Sequence, residues 1–295
     1  MASNDNLVSH FRRGLVMVKG TLFVVATPIG NLQDISPRAA LTLEEADLVV
    51  AEDTRHTRGL LRHLGLDRPL QAMHEHNETA VLPGLIARLE QGERLALVSD
   101  AGTPLISDPG YRLVRAAQEA GVDVRAVAGP SAVTAALSVS GLPTDRFVFE
   151  GFLPSRKGPR RSRLEALAEE PRTLVLFESG HRIEASLSDL ASVMGPDRPL
   201  ALCRELTKRF ETVLHGTVDS VRAQLRDDPD QRRGEFVIVL QGAEPTEPGQ
   251  AEAVRLAREL ARELPASRAA RVAARVTGVS RRALFDALEA DPDEA

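Results

Sequence analysis

The sequence predicts an α/β protein made of two α/β domains and a C-terminal helical tail. From Lys19 to about Val127, apolar segments of strand length alternate with segments whose apolar residues recur at helical spacing. That alternation is typical of a parallel sheet covered by helices. Beyond Asp145 the strand-like segments come with fewer and less regular helical segments, which indicates a mixed sheet. The chain has 295 residues, 43% of them hydrophobic, and this is enough for two ordinary domains.

The predicted first domain covers residues 19–140. Residues 1–18 lack the apolar centre of a secretory signal, so we expect a flexible leader there. The expected strands of the domain are residues 21–26, 47–51, 69–74, 94–99 and 122–127. The expected helices are residues 36–46, 54–64, 79–91 and 108–120, together with a helix that begins at Ser131.

A second α/β domain is predicted over residues 145–243. Residues 141–145 (GLPTD) interrupt the earlier alternation and predict the linker that leads into it. The expected strands of the second domain are residues 146–150, 172–177, 199–204, 212–216 and 235–241.

The last segment, residues 250–295, is predicted to be a helical tail. It follows residues 242–249, whose two prolines and two glycines predict another linker. We expect Ser267 to cap a helix over residues 268–276, and a short turn to lead into a helix over residues 281–288. This is the outline of a helix-turn-helix, although a plain two-helix packing unit has the same outline.

The composition excludes several classes of protein. A single cysteine, Cys203, allows no internal disulfide and fits a reducing cytoplasm. The apolar segments are much shorter than the roughly 18 residues of a membrane span, so no transmembrane helix and no membrane partner are expected. Aromatic residues make up 3% of the chain, with no tryptophan, so a nucleic-acid surface cannot depend on rows of stacked rings.

Basic residues are concentrated in two regions, although the net charge of the chain is −5. Residues 154–163 contain five basic side chains and no acid, and residues 255–282 contain eight arginines against two glutamates. Phosphate contacts need such local positive charge. A solvated helical face is the alternative interpretation of each cluster.

Three loops after predicted strands are candidates for ligand binding, because open α/β sheets bind ligands at the carboxyl ends of their strands. Residues 27–31 contain Gly30, which permits close approach of the backbone, and residues 128–132 contain Ser131, which could cap a helix or bond a ligand. The chain has no Gly-x-Gly-x-x-Gly after the first strand and no Gly-Lys-Ser/Thr, so neither a dinucleotide site nor a triphosphate site is supported.

The third loop, residues 99–110 (SDAGTPLISDPG), is the most unusual. Its last eleven residues contain two glycines, two prolines and two aspartates, more than a plain connector needs. We expect Asp100 to offer a carboxylate to a ligand. Asp108, followed by a proline, is interpreted instead as the N-cap of the next helix.

Six segments resemble one protein family in matching order, from Thr21 to the C-terminus. They are residues 27–32 (TPIGNL), 51–57 (AEDTRHT), 99–110, 141–147 (GLPTDRF), 150–154 (EGFLP) and 204–208 (RELTK). They closely resemble the family of ribosomal RNA small subunit methyltransferase I, within the tetrapyrrole methylase superfamily. Residues 177–180 (FESG) depart slightly from the usual pattern of that family, but His181 and Arg182 are retained.

This resemblance implies the tetrapyrrole methylase fold, with S-adenosylmethionine held in a cleft between two α/β domains. It also implies a homodimer, no metal, and 2′-O-methylation of a cytidine in the decoding region of 16S RNA, with free 16S ribosomal RNA or the 30S subunit as substrate. The residues expected to bind the cofactor are Pro28, Ile29, Gly30, Asp100, Gly102, Thr103, Ser131 and Ala132. The residues expected to contact RNA are Arg156, Lys157, Arg160, Arg161, Arg268, Arg271, Arg281 and Arg282.

Two carboxylates are candidates for taking the proton of the ribose hydroxyl. Asp53 follows the second predicted strand, at the same sheet edge as the cofactor loops, and Glu178 follows the strand over residues 172–177. Each has a structural alternative: Asp53 as a helix cap, and Glu178 as an ion-pair partner of Arg182. Residues 74–78 (HEHNE) suggest a metal site, but no third ligand cluster is evident, and a polar wall is preferred.

Two other functions remain open at this point. A related enzyme that methylates carbon atoms of a tetrapyrrole would have a similar cofactor site. A helix-turn-helix regulator whose α/β body senses a small ligand would bind cofactor without turnover and would bind duplex DNA.

Overall fold

A computed structural model of the chain describes residues 19–243 and 249–289. The expected leader, residues 1–18, therefore lies outside the described residues, as do residues 244–248 of the second linker and 290–295 of the tail. The chain divides into two compact units. One combines Met1–Ala166 with Thr173–Gln241, and the other combines Leu167–Arg172 with Gly242–Ala295.

The first sheet is entirely parallel, as the sequence predicts. Its strands are β1 (Thr21–Val25), β2 (Leu48–Ala51), β3 (Leu70–Ala72), β4 (Arg94–Val98) and β5 (Asp123–Val127). They lie in the order β3-β2-β4-β1-β5. The helices between them are α1 (Pro37–Glu45), α2 (Thr54–His63), α3 (Glu78–Glu90) and α4 (Tyr111–Glu119).

Both faces of this sheet are covered, and strand β4 shows why. Leu95 and Leu97 belong to a buried cluster with residues of α3 and α4. Ala96 and Val98 point to the opposite face and belong to a cluster with residues of α1 and α2. Because successive strand residues face opposite sides, a sheet buried on both sides needs the continuous apolar segments seen in the sequence.

The second sheet is mixed, which also confirms the prediction. Its strands are β6 (Phe147–Phe152), β7 (Thr173–Ser179), β8 (Pro199–Arg204), β9 (Thr212–Thr217) and β10 (Glu235–Leu240). They lie in the order β6-β7-β10-β8-β9; β6 and β7 are parallel, and the other neighbours are antiparallel.

Helices in this half are more regular than the sequence suggests. They are α6 (Lys157–Leu167), α7 (Ile183–Met194) and α8 (Val218–Asp227), each of which follows a strand. Helix α6 was hidden by an arginine at a core position. Arg160, Leu164 and Leu167 are buried at helical spacing, but only the two leucines read as apolar.

Helix α5 (Ala132–Ser140) follows the last strand of the first sheet but packs on the second sheet. Val133, Ala136 and Leu137 form a buried cluster with residues of β7, β8 and β10. The loop between β5 and α5 therefore passes directly from one sheet to the other.

The second unit contains three helices in its described part, rather than the two expected. They are α9 (Gln250–Ala261), α10 (Ala266–Thr277) and α11 (Arg281–Glu289). A small core of buried residues joins them: Ala253, Ala257, Ala270, Ala273 and Leu284. The prediction that Ser267 caps a helix is wrong. Helix α10 already begins at Ala266, with Pro265 at the N-cap, so Ser267 lies inside the first turn.

Within residues 19–243 and 249–289, none of the helices is both long enough and apolar enough to cross a membrane.

Helices α6 and α7 are joined by a buried ion pair. Nη2 of Arg160 lies 2.7 Å from Oδ2 of Asp189, and both side chains are 6% exposed. Nη1 of Arg160 also donates to the carbonyl of Ser155. The expectation that Arg160 contacts RNA is therefore wrong, because its guanidinium is enclosed in the fold and its hydrogen bonds are used there.

Replacement of Arg160 tests this structural role. Removing one partner of a buried ion pair leaves the other charge without compensation. We expect Arg160→Ala to lower the free energy of unfolding by about 3–5 kcal/mol in chemical denaturation. The neighbouring Arg161→Ala should change it by less than about 0.5 kcal/mol. An Arg160→Ala protein of unchanged stability and weaker RNA binding would restore the original assignment.

Candidate active site

Three loops at the carboxyl edge of the first sheet are tied together by hydrogen bonds. They follow β4, β1 and β5, which are neighbours in the sheet. Thr27 and Gly102 exchange backbone hydrogen bonds: N of Thr27 donates to O of Gly102 at 2.9 Å, and N of Gly102 donates to O of Thr27 at 3.1 Å. Oγ1 of Thr103 donates to the carbonyl of Pro130. The three loops that the sequence singles out therefore form one scaffold.

The backbone of the loop after β4 requires unusual conformations. Gly102 has φ of +82°, and a Cβ atom there would lie 3.2 Å from Cγ2 of Ile29. Leu105 and Ser107 also have positive φ, which is costly for residues with side chains. Such strain persists only where the surrounding structure holds it, and it is concentrated at functional sites.

A cavity of about 400 Å³ opens above these loops, within the size range of small-molecule sites. Six of the eight residues predicted to bind the cofactor line it: Ile29, Asp100, Gly102, Thr103, Ser131 and Ala132. Ser131 occupies the N-cap position of α5, but its side chain makes no capping bond, which leaves the hydroxyl free for a ligand at this end.

Pro28 and Gly30 are not among the residues that line the cavity. A Cβ atom at Gly30 would lie 2.3 Å from Cγ of Lys208. Gly30 therefore allows the lysine stem of the second half to pack against the loop after β1. It supports the wall of the cavity from behind.

The second half of the first unit supplies the other side of the cavity. Its lining residues come from β6, β7, β8, β10 and the loop after β8: Phe152, Phe177, Glu178, Ser179, Cys203, Leu206, Lys208, Glu235, Phe236 and Val237. Sequence reasoning assigned only Glu178 of these. The apolar members are indistinguishable in sequence from ordinary core residues, although Leu206 and Lys208 fall inside the RELTK segment.

The lining is rich in carboxylates: Glu52, Asp100, Asp108, Glu178 and Glu235. The basic lining residue is Lys208, whose Nζ lies 2.9 Å from Oε1 of Glu205 and 2.7 Å from Oε2 of Glu235. Burial acts to lower the pKa of Lys208, but the hydrogen bonds to Glu235 and Glu205 outweigh it and raise the pKa. Lys208 is thus protonated and already paired, so the cavity as a whole favours a cation.

Two of these carboxyl groups have raised proton affinity. Burial raises the pKa of Glu52, and the nearby charges of Asp108 and Asp100 add to the effect. Burial likewise raises the pKa of Asp108, although a hydrogen bond with the Ser99 side chain opposes it. The two groups therefore hold a proton more readily than ordinary carboxylates.

The prediction that Asp108 caps the next helix is wrong. Helix α4 begins at Tyr111, and its N-cap is Gly110, with φ of +123°. The turn made by Gly110 separates Asp108 from the helix, and the aspartate lines the cavity instead.

Asp53 is the N-cap of α2, which was the structural alternative for this residue. Its carboxylate accepts hydrogen bonds from the backbone N of Arg55 at 2.8 Å and from the Arg55 guanidinium. These bonds lower the pKa of Asp53 to about 2. Asp53 does not line the cavity, whereas its neighbour Glu52 does. The structure thus disfavours Asp53 as a proton acceptor and draws attention to the residue before it.

Glu178 lines the cavity and also has the ion-pair partner considered as its alternative. Its Oε1 accepts a hydrogen bond from the backbone N of Ser179 at 2.9 Å, and its Oε2 accepts one from the Ser186 hydroxyl. Nε of Arg182 lies 3.2 Å from Oε1, without the alignment of a hydrogen bond. Both oxygens are therefore engaged by protein groups, and a catalytic role of Glu178 stays a prediction.

The residues expected to contact RNA are mostly available for it. Arg161 is partly buried and donates to the Ser192 hydroxyl. The exposed members are Arg156, Lys157, Arg268, Arg271, Arg281 and Arg282. Arg282 also lies 3.9 Å from the carboxylate of Asp286.

The histidines of residues 74–78 lie in the turn before α3. The rings of His74 and His76 are 6.0 Å apart, edge to face, and the side chain of Asn77 accepts from the backbone N of His74. In the part of the chain that the structure describes, no three histidine, cysteine, aspartate or glutamate side chains are grouped so as to hold a metal ion.

Comparison with known proteins agrees with this geometry. The family model of Tetrapyrrole (Corrin/Porphyrin) Methylases matches residues 21–222, and that of the RsmI C-terminal HTH domain matches residues 247–291. Among solved structures, uroporphyrin-III-C-methyltransferase from Thermus thermophilus has a TM-score of 0.53 and 23% identity, covering 75% of this chain and 94% of that one. Diphthine synthase has a TM-score of 0.57 and 19% identity, covering 75% and 89%. At such identity these structures share the fold alone.

Curated relatives are much more similar in sequence. Ribosomal RNA small subunit methyltransferase I of Xylella fastidiosa is 55% identical over 267 residues, which is 90% of this chain and 98% of that protein. The protein of the same name from Escherichia coli O157:H7 is 47% identical over 268 residues, covering 90% and 94%. With its two sheets, its cavity and its helical tail all matched, the chain belongs to the family of ribosomal RNA small subunit methyltransferase I, within the tetrapyrrole methylases.

Proposed function

We propose that this chain transfers a methyl group from S-adenosylmethionine to small-subunit ribosomal RNA, and that the acceptor is the 2′-hydroxyl of a cytidine in the decoding region of 16S RNA. The observation that carries the proposal is the similarity to ribosomal RNA methyltransferases over 90% of the chain. S-adenosylmethionine is the methyl donor of the family.

The cavity suits this cofactor on chemical grounds. S-adenosylmethionine supplies a methyl group on a cationic sulfur, and its amino acid part carries a second cation at neutral pH. The carboxylate-rich lining stabilises positive charge, and the loop residues Ile29, Asp100, Gly102, Thr103, Ser131 and Ala132 are placed to hold the cofactor. Leu206 and Val237 add apolar surface against which an adenine ring packs.

Positioning accounts for much of the expected rate enhancement, because the two reactants must be aligned in a poorly hydrated pocket. The hydroxyl that attacks also has to lose its proton. Glu52 and Asp108 line the cavity with raised pKa values, so they are better proton acceptors than Asp53. We therefore assign the acceptor role to the Glu52 and Asp108 pair, and we keep Glu178 as a wall of the substrate side.

The basic surfaces supply RNA contacts that the acidic cavity cannot. We infer that Arg156, Lys157 and Arg161 on one unit, and the arginines of α10 and α11 on the other, bind phosphates of 16S RNA or of the assembled 30S subunit. We further propose that the protein acts as a homodimer in the cytoplasm, where its substrate is made.

A tetrapyrrole C-methyltransferase is the competing assignment. Its only support is the shared fold, at 23% identity to the uroporphyrin-III enzyme. The relatives that match nearly the whole chain are named for ribosomal RNA.

A map of 2′-O-methyl groups in small-subunit RNA tests the proposed function. Cells that lack this protein should lose one 2′-O-methylcytidine in the decoding region, and a plasmid copy should restore it. A map that is the same with and without the protein, combined with methylation of a tetrapyrrole by the purified enzyme, would favour the competing assignment.

Neighbouring carboxylates provide a matched test of the proton acceptor. We expect Glu52→Gln to lower kcat by about 100-fold or more, while the dissociation constant of S-adenosylmethionine changes only a few-fold. Asp53→Asn should keep most of the activity and lower the melting temperature, because it weakens the cap of α2.

The pH dependence should follow from the same assignment. A carboxyl group accepts a proton only when ionised, so methyl transfer should fall as the pH drops through the raised pKa values of Glu52 and Asp108. That acidic limb should shift in Glu52→Gln and remain in Asp53→Asn. If Asp53→Asn is the more damaging change, the acceptor is misassigned.

The arginines of the tail are tested by salt dependence. Each phosphate contact contributes about 0.7 to the slope of log affinity against log salt concentration for single-stranded RNA. We expect Arg268→Ala with Arg271→Ala, and separately Arg281→Ala with Arg282→Ala, to weaken RNA binding and to make this slope shallower by roughly 1. Cofactor affinity should be unchanged.

A double variant on α4 and β5 serves as the control for loss of charge. Arg115 is bonded to Glu119, and Arg125 to Asp123, so Arg115→Ala with Arg125→Ala removes two cations that already have partners. Equal salt slopes in the control and in the tail variants would show that the tail does not bind phosphate.

A further inference from the structure

Strand β6 contains a bulge that changes the direction of its last side chain. In the pairing with β7, Phe149 lies opposite Val175 and Phe152 lies opposite Phe177, with a shift of register before Gly151. Successive strand residues normally face opposite sides, so residues 149 and 152 would point apart in a regular strand. The extra residue brings both rings to the same face of the sheet.

The bulge depends on Gly151 and lies against the cofactor loop. Gly151 has φ of +71°, and a Cβ atom there would lie 3.0 Å from Oγ of Ser107. Ser107 lines the cavity. The position of Phe152 is therefore fixed relative to the loop that holds the cofactor.

Phe152 has one covered side and one free side. Its ring centre is 5.6 Å from that of Phe177, edge to face, and Phe177 makes a second contact of this kind with Phe149 at 4.9 Å. Phe152 nevertheless remains 55% exposed, although it lines the cavity. A supported ring with an open face at the rim of an active site is a stacking surface.

We propose that the base of the acceptor nucleotide stacks on Phe152 while its ribose faces the cofactor. The inference rests on the proposed function. Stacking of unpaired bases on aromatic side chains is the usual way in which proteins hold single-stranded RNA, and a base inside a duplex has no free face for it. One aromatic platform is sufficient for one nucleotide, so the low aromatic content of the chain is no obstacle.

The charges around Phe152 favour a base over a phosphate inside the cavity. The carboxylates of the lining repel phosphate but tolerate a neutral base and ribose. Immediately beside the cavity lies a shallow depression with Ser179 in both linings. It also contains His181, Arg232 and Arg233, and the Arg233 side chain is 82% exposed. Phosphates next to the acceptor nucleotide have a cationic surface there, outside the cavity.

Fluorescence provides a direct test, because the chain contains no tryptophan. Phe152→Trp introduces a single indole whose emission a stacked base should quench. Phe147→Trp is the matched control: Phe147 lies on the same strand and is 41% exposed, but it does not line the cavity. We expect small-subunit RNA that lacks the methyl group to quench the first protein and not the second. S-adenosylhomocysteine alone should leave both unchanged.

Kinetics separate the base from the cofactor. We expect Phe152→Ala to raise KM for the RNA substrate roughly ten- to hundred-fold, with unchanged affinity for S-adenosylhomocysteine and an unchanged melting temperature. Phe152→Tyr should retain the KM of the natural protein, and Phe147→Ala should change neither constant.

Each contrary result has a distinct meaning. Quenching by S-adenosylhomocysteine instead of RNA would place Phe152 in the adenine site and overturn the inference. An unchanged KM in Phe152→Ala, with the natural protein active on RNA, would overturn the inference and leave the proposed function standing. If the natural protein methylates neither free RNA nor unmethylated small subunits, the proposed function fails and the inference fails with it.

Discussion

The pair of backbone hydrogen bonds between Thr27 and Gly102 is the constraint on which the site depends. It joins the loops after β1 and β4, so neither loop can move alone. The positive φ of Gly102 makes the pairing possible, and the absence of a side chain keeps the floor of the cavity open beside Ile29. The hydroxyl of Thr103 extends the connection to the loop after β5. Three separate strand ends thereby act as one rigid surface, which is what alignment of two reactants requires.

Charge divides the molecule between its two ligands. The cavity carries carboxylates and a lysine that is already paired with Glu205 and Glu235, so it is suited to a cationic cofactor. The exposed arginines lie on α10, α11 and the start of α6. A protein with net charge −5 can therefore bind RNA locally and still keep phosphates away from the methyl donor. The rim of the cavity, where Phe152 lies, is where the two requirements meet.

Much of the first sheet and its loops could be predicted from the sequence, because both depend on local signals. Continuous apolar segments predict buried parallel strands, and the crowding of glycine, proline and aspartate in residues 99–110 predicts a ligand loop. The failures have a different origin. Arg160 was taken for a surface residue because its partner Asp189 is on another helix. Asp53 and Asp108 were exchanged in role, because the fold alone decides which carboxylate faces the cavity and which caps a helix.

The wall from the second sheet could not be predicted for a related reason. Leu206 and Val237 read as core residues in sequence, and only the approach of the two sheets turns them toward a ligand. The bulge before Phe152 has a faint signal in Gly151, but a glycine within a strand has several explanations. Contacts between residues far apart in the chain determine these features, and a single sequence does not report them.

The packing of α5 alters where this protein can be divided. The segment at residues 141–145 looks like a natural boundary, yet the helix before it buries Val133, Ala136 and Leu137 against the second sheet. A fragment that ended there would carry an uncovered apolar helix, and the remaining fragment would lack part of its core. The true seam between the two folding modules lies at residues 128–131, inside the ligand site. Any relative rotation of the sheets would have to bend the chain at that point, so the bound cofactor and the hinge occupy the same few residues.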